Sequence, residues 1–181
     1  SARDDQSDYA IRTNHFGGRA GVRPVSHLLV GGGIEYLEPR LSEGQNDQFP
    51  DVTDTFSPSA APGLDTRADF LRSDAFIEID YREPRHPKKG GWYRVDFSHY
   101  DDRTTDQFTF NRLDADIRQF FGFLAGRRVI AARLFVSTSD TEAGQTMPFF
   151  FMPTLGGNDT LRGFRDYRFR APHAILAQAE Y

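Results

Sequence analysis

The chain has 181 residues, a net charge of -4 and no cysteine; 38% of it is apolar and 14% aromatic, with 17 Phe. This length gives one domain with enough chain for a core, but the mixture of abundant aromatics and sparse aliphatics suits a sheet with one apolar face, one polar face and aromatic girdles. Balanced charge (22 Lys and Arg against 26 Asp and Glu) argues against a nucleic-acid partner, which requires a clustered basic excess, and the lack of cysteine excludes a disulfide framework and Cys-based zinc sites.

Taken in order, the sequence reads as antiparallel strands joined by connections of alternating length. Ser1-Ala2-Arg3-Asp4-Asp5 has no apolar signal-peptide core, and both ends read as cut. No apolar run reaches the roughly 18 residues of a membrane helix, which says nothing against a barrel. Two Gly-rich strands come first, at 9–24 and 27–40, whose glycines suggest bends or bulges. A polar stretch, 41–66, reads as a loop. In the strand at 68–82, Leu71, Ala75, Ile77, Ile79 and Tyr81 face one way and Arg72, Asp74, Glu78, Asp80 and Arg82 the other. Ser73 and Phe76 break that alternation.

A turn at 83–91 leads to a strand at 92–101, where Tyr93, Val95 and Phe97 oppose Arg94, Asp96 and Ser98. A polar loop at 102–107 leads to a strand at 108–124, in which Leu113, Ala115 and Ile117 oppose Arg112, Asp114, Asp116 and Arg118. A tight turn at Ala125-Gly126-Arg127 precedes the strand at 128–139, where Ile130, Ala132, Leu134 and Val136 oppose Arg133. After a long loop, about 140–173, the last strand is 174–181. These strands exceed the five or six residues usual in globular proteins and approach or pass the 9–11 that cross a bilayer at a tilt. Mixed-sign charge on adjacent polar faces suits the interior of a wide barrel, although a soluble sandwich with its charged face in water would alternate in the same way.

Within the long loop lies TLGGNDTLRGFRDYRFR, 154–170, followed by AILAQAEY, 174–181. Gly156-Gly157 and Gly163 permit backbone angles closed to other residues, and Arg162 carries a charge that it cannot lose and that needs a carboxylate or carbonyl cage. Glu180 is its expected partner, with Asp residues of neighbouring strands as alternates. This arrangement resembles the signature loop of the BamA/TamA family of outer-membrane proteins (the bacterial surface antigen superfamily): Leu161-Arg162-Gly163-Phe164 matches its lumenal tetrapeptide, and Ala179-Glu180-Tyr181 matches an element of the following strand.

The resemblance implies an all-β fold: a partial antiparallel transmembrane β-barrel occupying 1–181, about seven strands of a larger barrel, with the loop at about 140–173 folded into the lumen. It implies a bacterial outer-membrane location and a non-enzymatic role in inserting or translocating outer-membrane proteins. The implied partners are outer-membrane lipid, unfolded outer-membrane protein clients and periplasmic or lipoprotein accessory factors, with no nucleic acid and no cofactor. Related readings are a two-partner-secretion or passenger-fused transporter barrel. A soluble lipocalin-like binding protein is the reading from a different class.

Catalytic and metal-binding signals are poor. Ser98 and His99 are strand neighbours and point to opposite faces, so they cannot form a nucleophile–base couple. The five histidines lack metal-ligand spacing. Gly31-Gly32-Gly33 is not followed by the Lys-Ser/Thr of a phosphate loop. Asp114 and Asp116 share a face and could hold a cation, but flanking Arg112 and Arg118 favour a neutralised lumenal network. Phe149-Phe150-Phe151-Met152-Pro153 is either a lumenal plug or an interfacial belt, and Trp92, Tyr93 and Tyr100 are girdle candidates.

Overall fold

The computed structural model describes residues 9–44, 50–83 and 88–181. Seven strands form one antiparallel sheet in the order in which they occur: β1 (Tyr9–Val25), β2 (Leu28–Glu43), β3 (Phe70–Asp80), β4 (Gly90–Asp102), β5 (Phe110–Phe123), β6 (Arg128–Thr141) and, after two short loop strands, β9 (His173–Glu180). Every pairing joins sequence neighbours within this meander, and the sheet does not close on itself. The two loop strands, β7 (Thr154–Leu155) and β8 (Phe169–Arg170), form a separate hairpin between β6 and β9. The expected strands all occur; this small hairpin and a one-turn helix, α1 (Val52–Thr55), inside the stretch read as a loop are additions.

Alternation sorts the residues onto two faces. On the outer face the registers align Ile77 and Ile79 with Val95 and Tyr93, then with Ala115 and Ile117, and then with Val136 and Leu134. This face is uncovered: Phe97 is 48% and Ile175 70% exposed. From Leu113 to Phe123 the outward row, at ~3.4 Å per residue and ~40° tilt, is roughly 26 Å tall, close to the apolar band of an outer-membrane barrel.

The edge of the band at β3 and β4 carries Tyr81 and Tyr93, edge-to-face at 5.6 Å with their hydroxyls bonded to each other and to Gln119. Only Tyr93 of the expected girdle residues lies here. Trp92 and Tyr100 have the opposite parity: Trp92 points inward between Arg82 and Arg118, and Tyr100 stacks on Phe110 at 4.4 Å in the interior. Strand parity overrides the tendency of aromatics to sit at an interface.

Short connections lie at one end and long ones at the other. The β5–β6 turn has three consecutive left-handed residues, Leu124, Ala125 and Gly126. The β3–β4 turn, long on the sequence reading, is narrowed because pairing continues beyond β3: the Tyr81 amide donates to the Gly91 carbonyl and the Glu83 amide to the Lys89 carbonyl. At the opposite end, Asp102 organises the β4–β5 loop by accepting from the backbone amides of Thr104, Thr105, Gln107 and Phe108.

Phe76, the exception in β3, is explained by its neighbours. It lies on the inner face between two guanidinium groups, Arg94 at 4.3 Å and Arg19 at 4.9 Å from its centroid, so its π-face meets cations. Beneath it are glycines. A Cβ on Gly31 would come within 2.8 Å of the Phe76 ring and 2.2 Å of the Ala20 carbonyl oxygen, and one on Gly33 within 2.5 Å of the Arg19 side chain. Gly31 and Gly33 of β2 are therefore a floor on which Phe76 and Arg19 lie flat, while Gly32 between them faces the other side, opposite Ala75. Gly31→Val should lower stability by about 1–3 kcal/mol through overpacking, whereas Gly18→Ala, with nothing within 4 Å, should leave it unchanged; thermal melts of the detergent-folded protein compare the two.

Candidate functional site

The inner face of the sheet carries a lattice of ion pairs. Arg19 bridges Asp74 at 2.8 Å and Asp96 at 2.9 Å. Arg72 meets Glu35 at 3.0 Å, and Arg94 meets Glu78 at 2.9 Å and Asp96 at 2.6 Å. These pairs link four strands. Asp74 is the most enclosed, with a fully buried side chain, so its charge depends on the two arginines beside it. Just beyond β3, Arg82 pairs with Asp80 at 2.7 Å, and that bond raises the Arg82 pKa above its ordinary value.

The four charges singled out in β5 belong to this lattice but do not form one chain. Arg112 binds Asp114 at 2.9 Å, and Arg118 binds Asp116 at 2.7 Å. Asp116 is shared with Arg133 of β6, at 2.9 Å. The periodicity marks Arg133 as inward, but only the cross-strand register reveals it as the second partner of Asp116.

The β6–β9 loop folds across this face. Phe151 packs edge-on to Phe70 at 5.1 Å and against Tyr100 at 5.1 Å, within a cluster that includes Leu37, Ala68, Phe108, Phe110 and Met147. Phe149 joins a second cluster with Val52, Ala61 and Leu64, and stacks edge-on to Tyr9 at 5.3 Å. The Phe run is thus a plug on the inner face. The loop at 41–66, polar by composition, supplies three apolar residues to hold it.

Arginines also fix the loop backbone from the sheet. Arg112 donates to the Phe151 carbonyl at 3.2 Å, Arg133 to the Asp159 carbonyl at 2.8 Å, and Gln178 to the Thr160 carbonyl. From within the loop, Arg170 donates to the Phe149 carbonyl at 3.0 Å and covers the Tyr9 and Phe149 rings. None of these carbonyl contacts has a sequence signature, because any residue supplies a carbonyl.

The motif itself is built as a folded turn. The Phe164 amide donates to the Leu161 carbonyl at 3.2 Å, closing a turn across Arg162-Gly163 with Gly163 at φ 91°. The Gly157 amide donates to the Phe164 carbonyl at 3.1 Å, and the Gly156 amide to the Thr160 hydroxyl at 2.7 Å. A Cβ on Gly157 would fall 1.6 Å from the Asp166 carboxylate, so no larger residue fits. Leu161 is half-buried, while Phe164 is exposed and packs edge-on to Phe169, at 5.3 Å.

Arg162 does reach Glu180, at 2.8 Å. In register Glu180 faces Ala131, near the short-turn end of β6, so the loop descends most of the sheet's height to make this contact. The pair is open: the side chains are 69% and 52% exposed. None of the alternate Asp residues is used. Ser98 is buried on the inner face, and its neighbour His99 bonds Asn111 on the outer face.

The fold and the lined inner face place the chain in a class, the antiparallel β-barrels with a polar interior. Among solved structures it is similar to BamA from Haemophilus ducreyi lacking POTRA domains 1–3, with a TM-score of 0.70 and 16% sequence identity over 92% of this chain. The chain spans 32% of that structure's length. No protein-family model and no curated protein matches the sequence. The likeness establishes a BamA-like barrel fold, and the open edges of the sheet make it a partial one.

The geometry ranks the contacts holding the loop. An exposed ion pair contributes about 0–1 kcal/mol, whereas truncating a packed Phe costs about 3 kcal/mol or more. Phe151→Ala should therefore lower the thermal midpoint and open the loop to protease much more than Arg162→Ala. Limited proteolysis of the two variants beside the parent protein checks the order.

Proposed function

We propose that this chain is part of a bacterial outer-membrane barrel that assists the insertion or translocation of outer-membrane proteins, with the β6–β9 loop as its internal stopper. The observation that carries the reading is the division of one continuous sheet into an uncovered apolar outer face and an ion-paired inner face occupied by its own loop. In water such a sheet leaves its apolar side unburied; in a bilayer that side is solvated by lipid and the charged side lines the lumen.

The BamA-like fold and the Leu161–Phe164 and Glu180 elements support the role in protein insertion. In this reading no side chain performs covalent chemistry. The working element of such a barrel is backbone: a strand edge offers unpaired amides and carbonyls to a nascent strand, and the client pairs with them. The chain's own contribution is a rigid wall and a latched loop. The partners are outer-membrane lipid, unfolded outer-membrane protein clients and accessory proteins of the periplasm.

The transporter reading, two-partner secretion or a passenger-fused barrel, uses the same loop and wall and differs in what is handled. The lipocalin-like reading is disfavoured by one observation: a soluble barrel or sandwich packs its apolar face inward, whereas here Ile34, Phe97, Phe121 and Ile175 are exposed.

Size-exclusion chromatography with circular dichroism, with and without mild detergent, tests the membrane reading. We expect β-rich, monodisperse protein only with detergent or lipid. A cooperatively melting monomer in plain buffer would replace the barrel with a soluble binding module. The insertion role is tested by adding the protein, carried in vesicles, to an unfolded β-barrel client: faster client folding than in empty vesicles is expected, and an unchanged rate counts against it.

A further inference from the structure

Among the described residues, two groups of cations stand apart. Those on the inner face are matched: Arg19, Arg72, Arg94, Arg112, Arg118 and Arg133 all have carboxylate partners. At the short-turn end, beyond the Arg82–Asp80 pair, four cations are unmatched. Lys88 and Lys89 of the β3–β4 turn and Arg127 and Arg128 of the β5–β6 turn are all exposed. Among the described residues, no carboxylate forms an ion pair with the side chain of any of the four, and Glu83 of the same turn accepts from the Lys88 backbone amide at 3.3 Å.

The fold brings the two turns together. A Cβ on Gly126 would lie 3.3 Å from Lys88 Cδ and 3.8 Å from its Nζ, and one on Gly122 would lie 2.7 Å from the Lys88 carbonyl oxygen. Lys88 thus lies across the β5–β6 turn, beside Arg127 and Arg128. Immediately next to these cations on the outer face are Phe121, Phe123 and Leu124, which are 54%, 39% and 67% exposed. Arg128 covers the Tyr181 ring at 5.1 Å, and Phe123 stacks on the same ring at 6.3 Å. The opposite rim differs in sign: Asp106, Asp140 and Glu142 are exposed there, and Arg103 is neutralised by Asp101 at 2.8 Å.

We propose that the short-turn rim of the β3–β4 and β5–β6 hairpins is a binding surface for anionic phospholipid head groups, with Lys88, Lys89, Arg127 and Arg128 meeting lipid phosphates while Phe121, Phe123 and Leu124 enter the acyl layer. The inference rests on the reading that the outer face meets lipid, and adds which lipid and which end. Charge complementarity commits the surface to a negative leaflet. Unpaired cations directly bordering an apolar band gain from head-group charge, whereas an acidic protein partner would have no use for the exposed Phe and Leu row beside them. The acidic opposite rim would be repelled by the same leaflet, so the charge asymmetry also favours one orientation.

Flotation of the folded chain with vesicles tests this, using phosphatidylcholine alone and phosphatidylcholine with about 30% phosphatidylglycerol. We expect association with both, and about tenfold stronger partitioning into the anionic vesicles at low salt. That preference should vanish in about 0.5 M salt. It should also vanish in the combined variant Lys88→Gln, Lys89→Gln, Arg127→Gln, Arg128→Gln, but persist in Arg103→Gln at the opposite rim. Equal partitioning into both vesicles would overturn the head-group site and leave the membrane reading standing. Association with neither overturns both. A preference retained in the fourfold variant, with β-structure verified by circular dichroism, also overturns the site; should that variant fail to fold, the salt arm on the parent protein decides.

Discussion

The structure depends on charge matching along and across strands. Asp74, Glu78, Asp80, Asp96, Asp114 and Asp116 all point to one side of the sheet, or lie at its margin, and each meets a guanidinium at 2.6–2.9 Å. Taking an unpaired carboxylate out of water costs several kcal/mol, so a face with this many acids can line a confined space only if each charge is answered. Arginine suits the task because its planar fork reaches two carboxylates at once, as Arg19 and Arg94 do. The register of each hairpin is thereby fixed twice: a slip of one residue would both turn the apolar row inward and break the cross-strand pairs Arg72–Glu35, Arg94–Glu78 and Arg133–Asp116.

The loop exploits this arrangement. Where the lattice ends, toward the long connections, the inner face becomes apolar with Phe70, Tyr100 and Phe110, and there the Phe149–Phe151 turn seats itself. Lower down, arginines already neutralised by their acids turn remaining donors to the loop's carbonyls: Arg112 and Arg133 each serve a carboxylate and a backbone oxygen. Five donors in a planar fork on one guanidinium make this double service possible. The loop is therefore held by packing at its root and by polar contacts along its length, and the Arg162–Glu180 pair closes its far end in the open.

Taken with the uncovered outer face, this arrangement makes the sheet a wall between two media. Its outward residues carry no charge between the tyrosine pair of Tyr81 and Tyr93 and the polar row formed by His99, Asn111 and Asp140. The paired inner face and the matched outer row are two consequences of a single two-residue period, which is why a chain with mean hydropathy of -0.58 can still present a continuous apolar surface.

The sequence alone determined the strands and their faces, because a period of two is local: each residue's side is set by its neighbours along the chain. It also marked the Leu161-Arg162-Gly163-Phe164 turn and offered Glu180, the one acid in the strand that follows, as first candidate partner of Arg162, with Asp residues of neighbouring strands left as alternates. What only the tertiary structure decided is whatever depends on register or on a distant segment. Phe76 looked misplaced until Arg19, Arg94 and the Gly31 floor were brought to it. The Phe run became a plug because residues of 52–64 and 108–110 converge on it, and four cations from two turns met at one rim. Such contacts join residues tens of positions apart through hydrogen-bond ladders, and no local pattern records which strand a residue will face.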